Sequence, residues 1–105
     1  MAELHSGFQA TGTIQLKKGS DAASAAELSL GEGNVFHITG TTNITSIAAA
    51  DSTEGREVFL IFDGILTFTD GNNLKLAGDF TTSADDVIHL ICDGTNWFEI
   101  SRSVN

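Results

Sequence analysis

Three residues with metal-ligating side chains lie in two of the most apolar stretches of the chain. His37 belongs to the stretch 35–39, and His89 and Cys92 belong to the stretch 87–92. Imidazole nitrogen and thiolate sulfur are ligands that zinc and iron accept, so these residues could form a metal site if the fold brought them together. They are equally typical of half-buried strands, where histidines hydrogen-bond to neighbours and a lone cysteine packs as a small apolar side chain. We expect the structural role, with no metal and no cofactor.

Acidic residues form the second group that could do chemistry. Asp85 and Asp86 are adjacent, and Asp63 and Asp70 bracket a short segment. Paired carboxylates can serve as general acid and base, or can hold calcium. However, the stretch 70–73 lacks the alternating oxygen ligands and the distal glutamate of a calcium loop, and acidic residues in turns usually support backbone geometry. No serine lies in a Gly-x-Ser-x-Gly motif. We therefore expect no catalytic residues and no enzyme.

Aromatic residues offer a third possibility, which is binding rather than catalysis. Trp97, Phe98 and Phe36 could form a platform on which a sugar stacks. A single tryptophan next to a turn is also an ordinary anchor of a core or an interface. We favour the structural interpretation.

The composition limits the class of partner. The chain has 105 residues with a formal net charge of −9, and 41% of its residues are hydrophobic. An acidic protein repels phosphate backbones and anionic lipids, so we expect neither nucleic acid nor membrane as a partner. One cysteine excludes an intrachain disulfide. The first residues lack the basic region and apolar core of a signal peptide, so we expect no export through a secretory pathway.

The elements that must position these residues are short strands. The segment 57–62, with sequence EVFLIF, carries apolar residues on both of its faces, and such a strand needs cover on both sides. Asp63-Gly64 is a strong hairpin signal, with positive φ expected at the glycine. Return strands at 65–69 and 74–76 would then complete a β-meander within 55–78.

The remaining strands are expected at 13–17, 27–30, 35–39, 43–47, 87–92 and 97–101, with a tight turn at Asp93-Gly94-Thr95-Asn96. Residues 22–26 are too short a stretch for a stable helix and are expected to form a loop. Eight to nine short strands predict an all-β, antiparallel sandwich, jelly roll or open barrel. We assign residues 1–12 to an N-terminal arm and residues 13–105 to a single β domain.

The order of these blocks resembles a known family. The blocks GNVFHITGTTNI (33–44), GREVFLIF (55–62), NLKL (73–76), DVIHL (86–90) and DGTNWFEISRS (93–103) are similar to the β-rich module that often ends bacteriophage tail-fibre and other virion-surface proteins. The Asp-Gly-x-x-Trp motif with the terminal Ser-Arg-Ser is the most specific part. The resemblance implies a non-enzymatic virion component that is usually trimeric.

Such modules normally follow a long shaft, whereas this domain starts close to Met1. We therefore expect a capsid decoration (cement) protein on the capsid exterior, made in the host cytoplasm. Its partners would be copies of itself in a homotrimer and the major capsid protein or another virion protein. The alternative is the receptor- or glycan-binding tip of a tail fibre, with a host-surface glycan as partner.

The residues expected at subunit or partner contacts lie at the two ends of the chain. Within the last strand, alternation separates Trp97 and Glu99 from Phe98 and Ile100. We expect Phe98 and Ile100 to enter the core and Trp97 to pack between subunits, where Glu99 and Arg102 could pair across the boundary. The full set of expected contact residues is Leu4, Phe8, Trp97, Glu99 and Arg102.

Overall fold

The computed structural model of the protein describes residues 11–105, which form ten short strands and one 3₁₀ turn at Ala49–Asp51. The all-β class is thus confirmed, with ten strands in place of the eight to nine expected. Among these residues, no helix is long and apolar enough to span a bilayer. In chain order the strands are β1 Ala22–Ala23, β2 Glu27–Leu28, β3 Val35–Thr39, β4 Ser46–Ile47, β5 Glu57–Phe62, β6 Thr67–Phe68, β7 Leu74–Lys75, β8 Phe80–Thr81, β9 Val87–Cys92 and β10 Trp97–Ser103.

Six of the strands form one sheet with the order β1-β3-β5-β9-β10-β7, which curls into a half-barrel. Two small sheets, β2-β4 and β6-β8, complete the fold. The three segments 35–38, 58–61 and 87–90, each of which begins with valine and is mostly apolar, fall in β3, β5 and β9 and are direct neighbours in the main sheet. The most apolar stretches of the sequence therefore form the centre of the sheet.

The strand pairing is mixed, which corrects the expectation of an antiparallel fold. β1 pairs with β3, β3 with β5, β2 with β4 and β10 with β7, all in parallel. Only β5-β9, β9-β10 and β6-β8 are antiparallel. The reason is the long connection 40–56 between β3 and β5, which contains β4 and the 3₁₀ turn and returns the chain to run in the same direction.

The predicted β-meander is wrong. β5 pairs with β3 and β9 instead of its successor, β6 pairs with β8, and β7 pairs with β10. Gly64 does not adopt positive φ, whereas Gly94 has φ +101° and forms the predicted turn, in which the Asp93 amide donates to the Asn96 carbonyl. The two Asp-Gly pairs look alike locally, but only the second joins adjacent strands.

Three segments differ from their predicted structure. Residues 13–17 form no strand, and the chain first pairs at Lys18, which bridges to Val35. A short strand lies at Ala22–Ala23, where a loop was expected, and the predicted strand 43–47 is reduced to Ser46–Ile47 with a bridge at Ile44. Strands 35–39 and 87–92 have the predicted bounds, and the last strand is two residues longer than predicted.

The core lies on one side of the main sheet, where β6 and β8 pack against β5 through aromatic rings. The ring of Phe62 contacts those of Phe68 and Phe80, with centroids 5.7 and 5.9 Å away. Such tilted and edge-on aromatic pairs add stabilisation to the burial of the rings themselves. The fully buried large side chains are Trp97, Phe36, Phe62, Phe68, Leu28, Ile38, Ile44, Ile47, Leu60, Leu74, Ile88 and Leu90.

The side chain of Asn73 makes the two hydrogen bonds with Ile47 that a neighbouring strand would otherwise make. The Asn73 amide donates to the carbonyl of Ile47 (2.7 Å), and its oxygen accepts from the Ile47 N–H (3.1 Å). An asparagine side chain carries the same donor and acceptor as a peptide group, so it can satisfy one residue of an exposed strand edge. Asn73 thereby connects the small β2-β4 sheet to the segment that leads into β7.

Candidate interaction surface

The side of the main sheet that faces away from the core carries a second apolar surface. In β5 the side chains of Val58, Leu60 and Phe62 are fully buried, whereas those of Phe59 and Ile61 point the other way and are half-buried. Alternation along the sequence predicted this two-sided pattern. The core covers one side, and the described residues leave the other side open to solvent.

The strand register defines this surface, which we call the outer face. Residues directly opposite on neighbouring strands share a face, so the pairs of β3, β5, β9 and β10 form rows across the sheet. The rows are Glu57-Ile91-Phe98, Val35-Phe59-His89-Ser101 and His37-Ile61-Val87-Ser103. Most of these positions are apolar, and the polar groups among them are two histidines, two serines and one glutamate.

The two histidines are held in defined positions on the outer face. The ring of His89 stacks on that of Phe59, with centroids 3.9 Å apart and planes 11° apart, and its Nε2 hydrogen-bonds to Glu57 Oε1. Nδ1 of His37 lies 2.7 Å from Asp63 Oδ1. Each histidine therefore has a carboxylate partner, and the two carboxylates at this surface are both engaged. The alternation in 87–92 could have revealed that His89 shares a face with Val87 and Ile91.

Cys92 lies on the opposite side of the sheet from both histidines. It faces Trp97 across the β9-β10 pair and is buried, and its Sγ accepts a hydrogen bond from the Gly94 N–H (3.3 Å). The structure therefore does not bring His37, His89 and Cys92 together. Within residues 11–105, no group of three His, Cys, Asp or Glu side chains is placed to hold a metal. Cys92 has the predicted role of a small core residue.

The acidic pairs considered for chemistry support turns. Asp86 accepts hydrogen bonds from the backbone N–H groups of Ser83 (2.9 Å) and Asn105 (2.8 Å), and these bonds lower the pKa of its carboxyl. Asp70 accepts from the Leu76 N–H, while Asp63 is bonded to His37. Asp70 and Asp86 thus bond to backbone N–H groups near their turns, as the interpretation of these residues as turn-forming predicted, whereas the Asp85 carboxylate makes no hydrogen bond to the described residues.

The expected orientation of the last strand is reversed. Trp97 is fully buried and donates its indole N–H to Ser52 Oγ (2.8 Å), whereas Phe98 and Ile100 are 41% and 52% exposed. The strand register requires Trp97 to face the core, because Trp97 lies opposite Cys92, whose side chain is on the core side. With Trp97 and Phe36 both in the core, the aromatic platform suggested by the sequence does not form.

Glu99 and Arg102 pair with each other within the chain. A β-bulge at Ile100 interrupts the alternation of side chains, so that Glu99 and Arg102 both lie on the core side of β10. The guanidinium of Arg102 binds both carboxylate oxygens of Glu99, at 2.7 and 2.8 Å. This contact lowers the pKa of Glu99 and raises that of Arg102. Arg102 also donates to the Gly78 carbonyl and lies over the Phe80 ring.

The two remaining contact residues expected from the sequence, Leu4 and Phe8, lie outside the described residues. Their role at an interface stays a prediction, as do the interface roles of Glu99 and Arg102.

Comparison of the chain with protein-family models, with curated proteins and with solved structures gives no match.

Proposed function

We propose that the protein is a non-enzymatic structural component of a bacteriophage virion, which assembles as a homotrimer and binds the capsid exterior as a decoration protein. The observation that carries the proposal is the outer face, a second apolar surface on the central strands of a small domain. A chain of 105 residues can bury only a modest core, and association is a common way to bury more.

The charge distribution supports association through this surface. The net charge of −9 makes copies repel one another, so a contact must avoid bringing carboxylates together. The outer face carries Glu57 and receives the side chain of Asp63, and both are bonded to histidines. Most other acidic residues lie in the loops and turns around the sheet.

The rigidity of the outer face is a second support. Stacking on Phe59 and the bond to Glu57 hold the His89 ring in place before any partner binds. Preformed surfaces lose less conformational entropy on association, which suits a permanent structural contact. The glycan-binding alternative loses support, because Trp97 and Phe36 are unavailable for stacking on a sugar.

Two measurements test the proposal. Light scattering should give three times the 11.1 kDa mass of one chain. Purified phage heads should retain the protein at a fixed number of copies per capsid subunit. A monomer in solution that is absent from heads, but that binds on a glycan array, would contradict the proposal and favour a receptor-binding tip.

A further inference from the structure

Among residues 11–105, the exposed large apolar side chains form two groups and one isolated position. Ile14 and Leu16 lie in the unpaired segment 13–16, which we call the docking segment. Ile65 stands apart from the others. The rest belong to the end of the main sheet or directly follow it, and they are Ile91, Phe98, Ile100 and Val104. Two exposed apolar sets in one small chain suggest that each covers the other.

The docking segment has the pattern of a strand without a partner. Its sequence, Thr-Ile-Gln-Leu, alternates polar and β-branched or aliphatic residues, which is why the sequence predicts a strand there. Within residues 11–105 no other segment pairs with it, and all four of its side chains are exposed. An extended segment of this composition is suited to pairing with an open sheet edge.

The main sheet has such an open edge. β10 pairs with β9 along its length, but β7 covers only Trp97 and Phe98 on its other side. Among the described residues, 99–103 therefore have no strand partner on that side, and Ile100 at the bulge has no cross-strand partner on either side. Unpaired backbone groups on a strand edge favour the addition of another strand.

We propose that the docking segment of one copy adds as a strand to the open edge of β10 in a second copy. This inference rests on the proposed self-assembly and identifies the contact that produces it. Ile14 and Leu16 share one side of the added strand, where they extend the outer face beside Ile100, since β7 already lies beside Phe98. A strand addition of this kind supplies both backbone hydrogen bonds and apolar burial.

The docking segment cannot pair with β10 of its own chain. The carbonyl of Lys17 accepts hydrogen bonds from the N–H groups of Asn34 (2.7 Å) and Val35 (3.2 Å), which ties the end of the segment to β3. β5 and β9 lie between β3 and β10 in the sheet. Strands are about 4.8 Å apart, so a segment tied beside β3 cannot lie along the far edge of β10. A second copy can present its segment there without strain.

The charges near the docking segment and near the open edge of β10 are compatible with contact between these two surfaces. Residues 4–16 contain no Asp, Glu, Lys or Arg, and at the edge of β10 the charge of Glu99 is balanced by Arg102. Lys75, opposite Phe98, and Asp79, whose carbonyl accepts from Arg102, carry opposite charges next to this edge, so neither surface concentrates the net charge of −9. Since the segment and the edge are different surfaces, the contact is head-to-tail, and three copies in such a contact can close into a ring.

Mixing two complementary variants tests the contact. Ile14→Asp damages the segment and Ile100→Asp damages the edge, and both side chains are exposed, so both variants should fold. Each variant alone should sediment as an 11.1 kDa monomer. An equal mixture should contain a heterodimer, because one variant keeps an intact segment and the other an intact edge. Ile65→Asp is the matched control, since Ile65 and Ile14 are both 66% exposed, and it should assemble like the wild type.

The other outcomes overturn the inference in distinguishable ways. If Ile14→Asp assembles like the wild type, the segment is not part of the contact, while the proposed self-assembly stands. If both variants are monomeric and their mixture stays monomeric, the two surfaces do not bind each other. If the wild-type protein is itself a monomer even at concentrations far above micromolar, the proposed self-assembly fails together with this contact.

Discussion

The indole nitrogen of Trp97 lies 2.8 Å from Ser52 Oγ, and this buried hydrogen bond joins the last strand to the loop that follows the 3₁₀ turn. Ser52 in turn donates to the carbonyl of Ala48. The hydroxyl thus acts as acceptor and donor at once, which leaves the polar atom of the largest buried side chain satisfied.

The first prediction follows from this bond. Trp97→Phe should lower the free energy of unfolding by about 2–3 kcal/mol, because it leaves a cavity and removes the bond to Ser52. Ser52→Ala should cost about 1–3 kcal/mol by leaving the indole N–H without an acceptor. Urea unfolding measures both, and Phe98→Leu at the exposed neighbouring position is the control. Equal stability of Trp97→Phe and the wild type would contradict the burial of this residue.

The second prediction concerns the amide of Asn73. Asn73→Ala should destabilise the protein by about 1–3 kcal/mol, because the N–H and carbonyl of Ile47 lose their partners in a partly buried place. Asn73→Asp retains the acceptor but turns a carboxylate oxygen toward the Ile47 carbonyl, so we expect it to be no more stable than Asn73→Ala. The control is Asn96→Ala, whose side-chain amide makes no hydrogen bond to the described residues. Thermal unfolding that ranks Asn96→Ala below Asn73→Ala would refute this role.

The third prediction concerns a close approach at Gly19. A Cβ at this position would overlap the buried ring of Phe36 and lie 2.7 Å from the carbonyl oxygen of Glu32. Gly19→Ala should therefore cost about 1–3 kcal/mol or more, as overpacking in a filled core does. Gly31→Ala is the matched control, because a Cβ there meets no atom within 4 Å. Calorimetry should show a lowered melting temperature for the first variant only.

The fourth prediction is a loss of stability in acid. Arg102 lowers the pKa of Glu99 in the folded protein below its ordinary value of 4.5. The unfolded chain then binds a proton more readily, so the stabilisation is fully present above about pH 4.5 and is lost as the pH falls through the lowered pKa. Asp86 and Asp93 also make the folded protein less stable in acid, because backbone N–H groups lower the pKa of each carboxyl.

Unfolding by urea between pH 3 and pH 7 measures this effect. Glu99→Gln should make stability depend less steeply on pH, because it removes one of the contributing carboxyls. Glu54→Gln, which removes an exposed carboxylate, should change the profile less. An identical slope for Glu99→Gln and the wild type would show that Arg102 does not perturb this carboxyl.

Local patterns were sufficient to predict the all-β class, the strands β3 and β9, and the tight turn at Gly94. Alternation of side chains and the need for positive φ in a turn act over a few residues, so they can be recognised in the sequence. The two apolar faces of β5 were predicted in the same way, and they lead to the outer face.

Only the tertiary structure decided which strands pair and which face of β10 is buried. The Asp-Gly pairs at 63–64 and 93–94 carry the same local signal, but long connections place β5 beside β3 and β9. In β10 the sequence pattern led us to expect Glu99 and Arg102 near a subunit boundary, where they could pair across it. They lie on the core side because the guanidinium binds both carboxylate oxygens and covers the Phe80 ring. Such compensation depends on contacts between distant residues, which no local pattern contains.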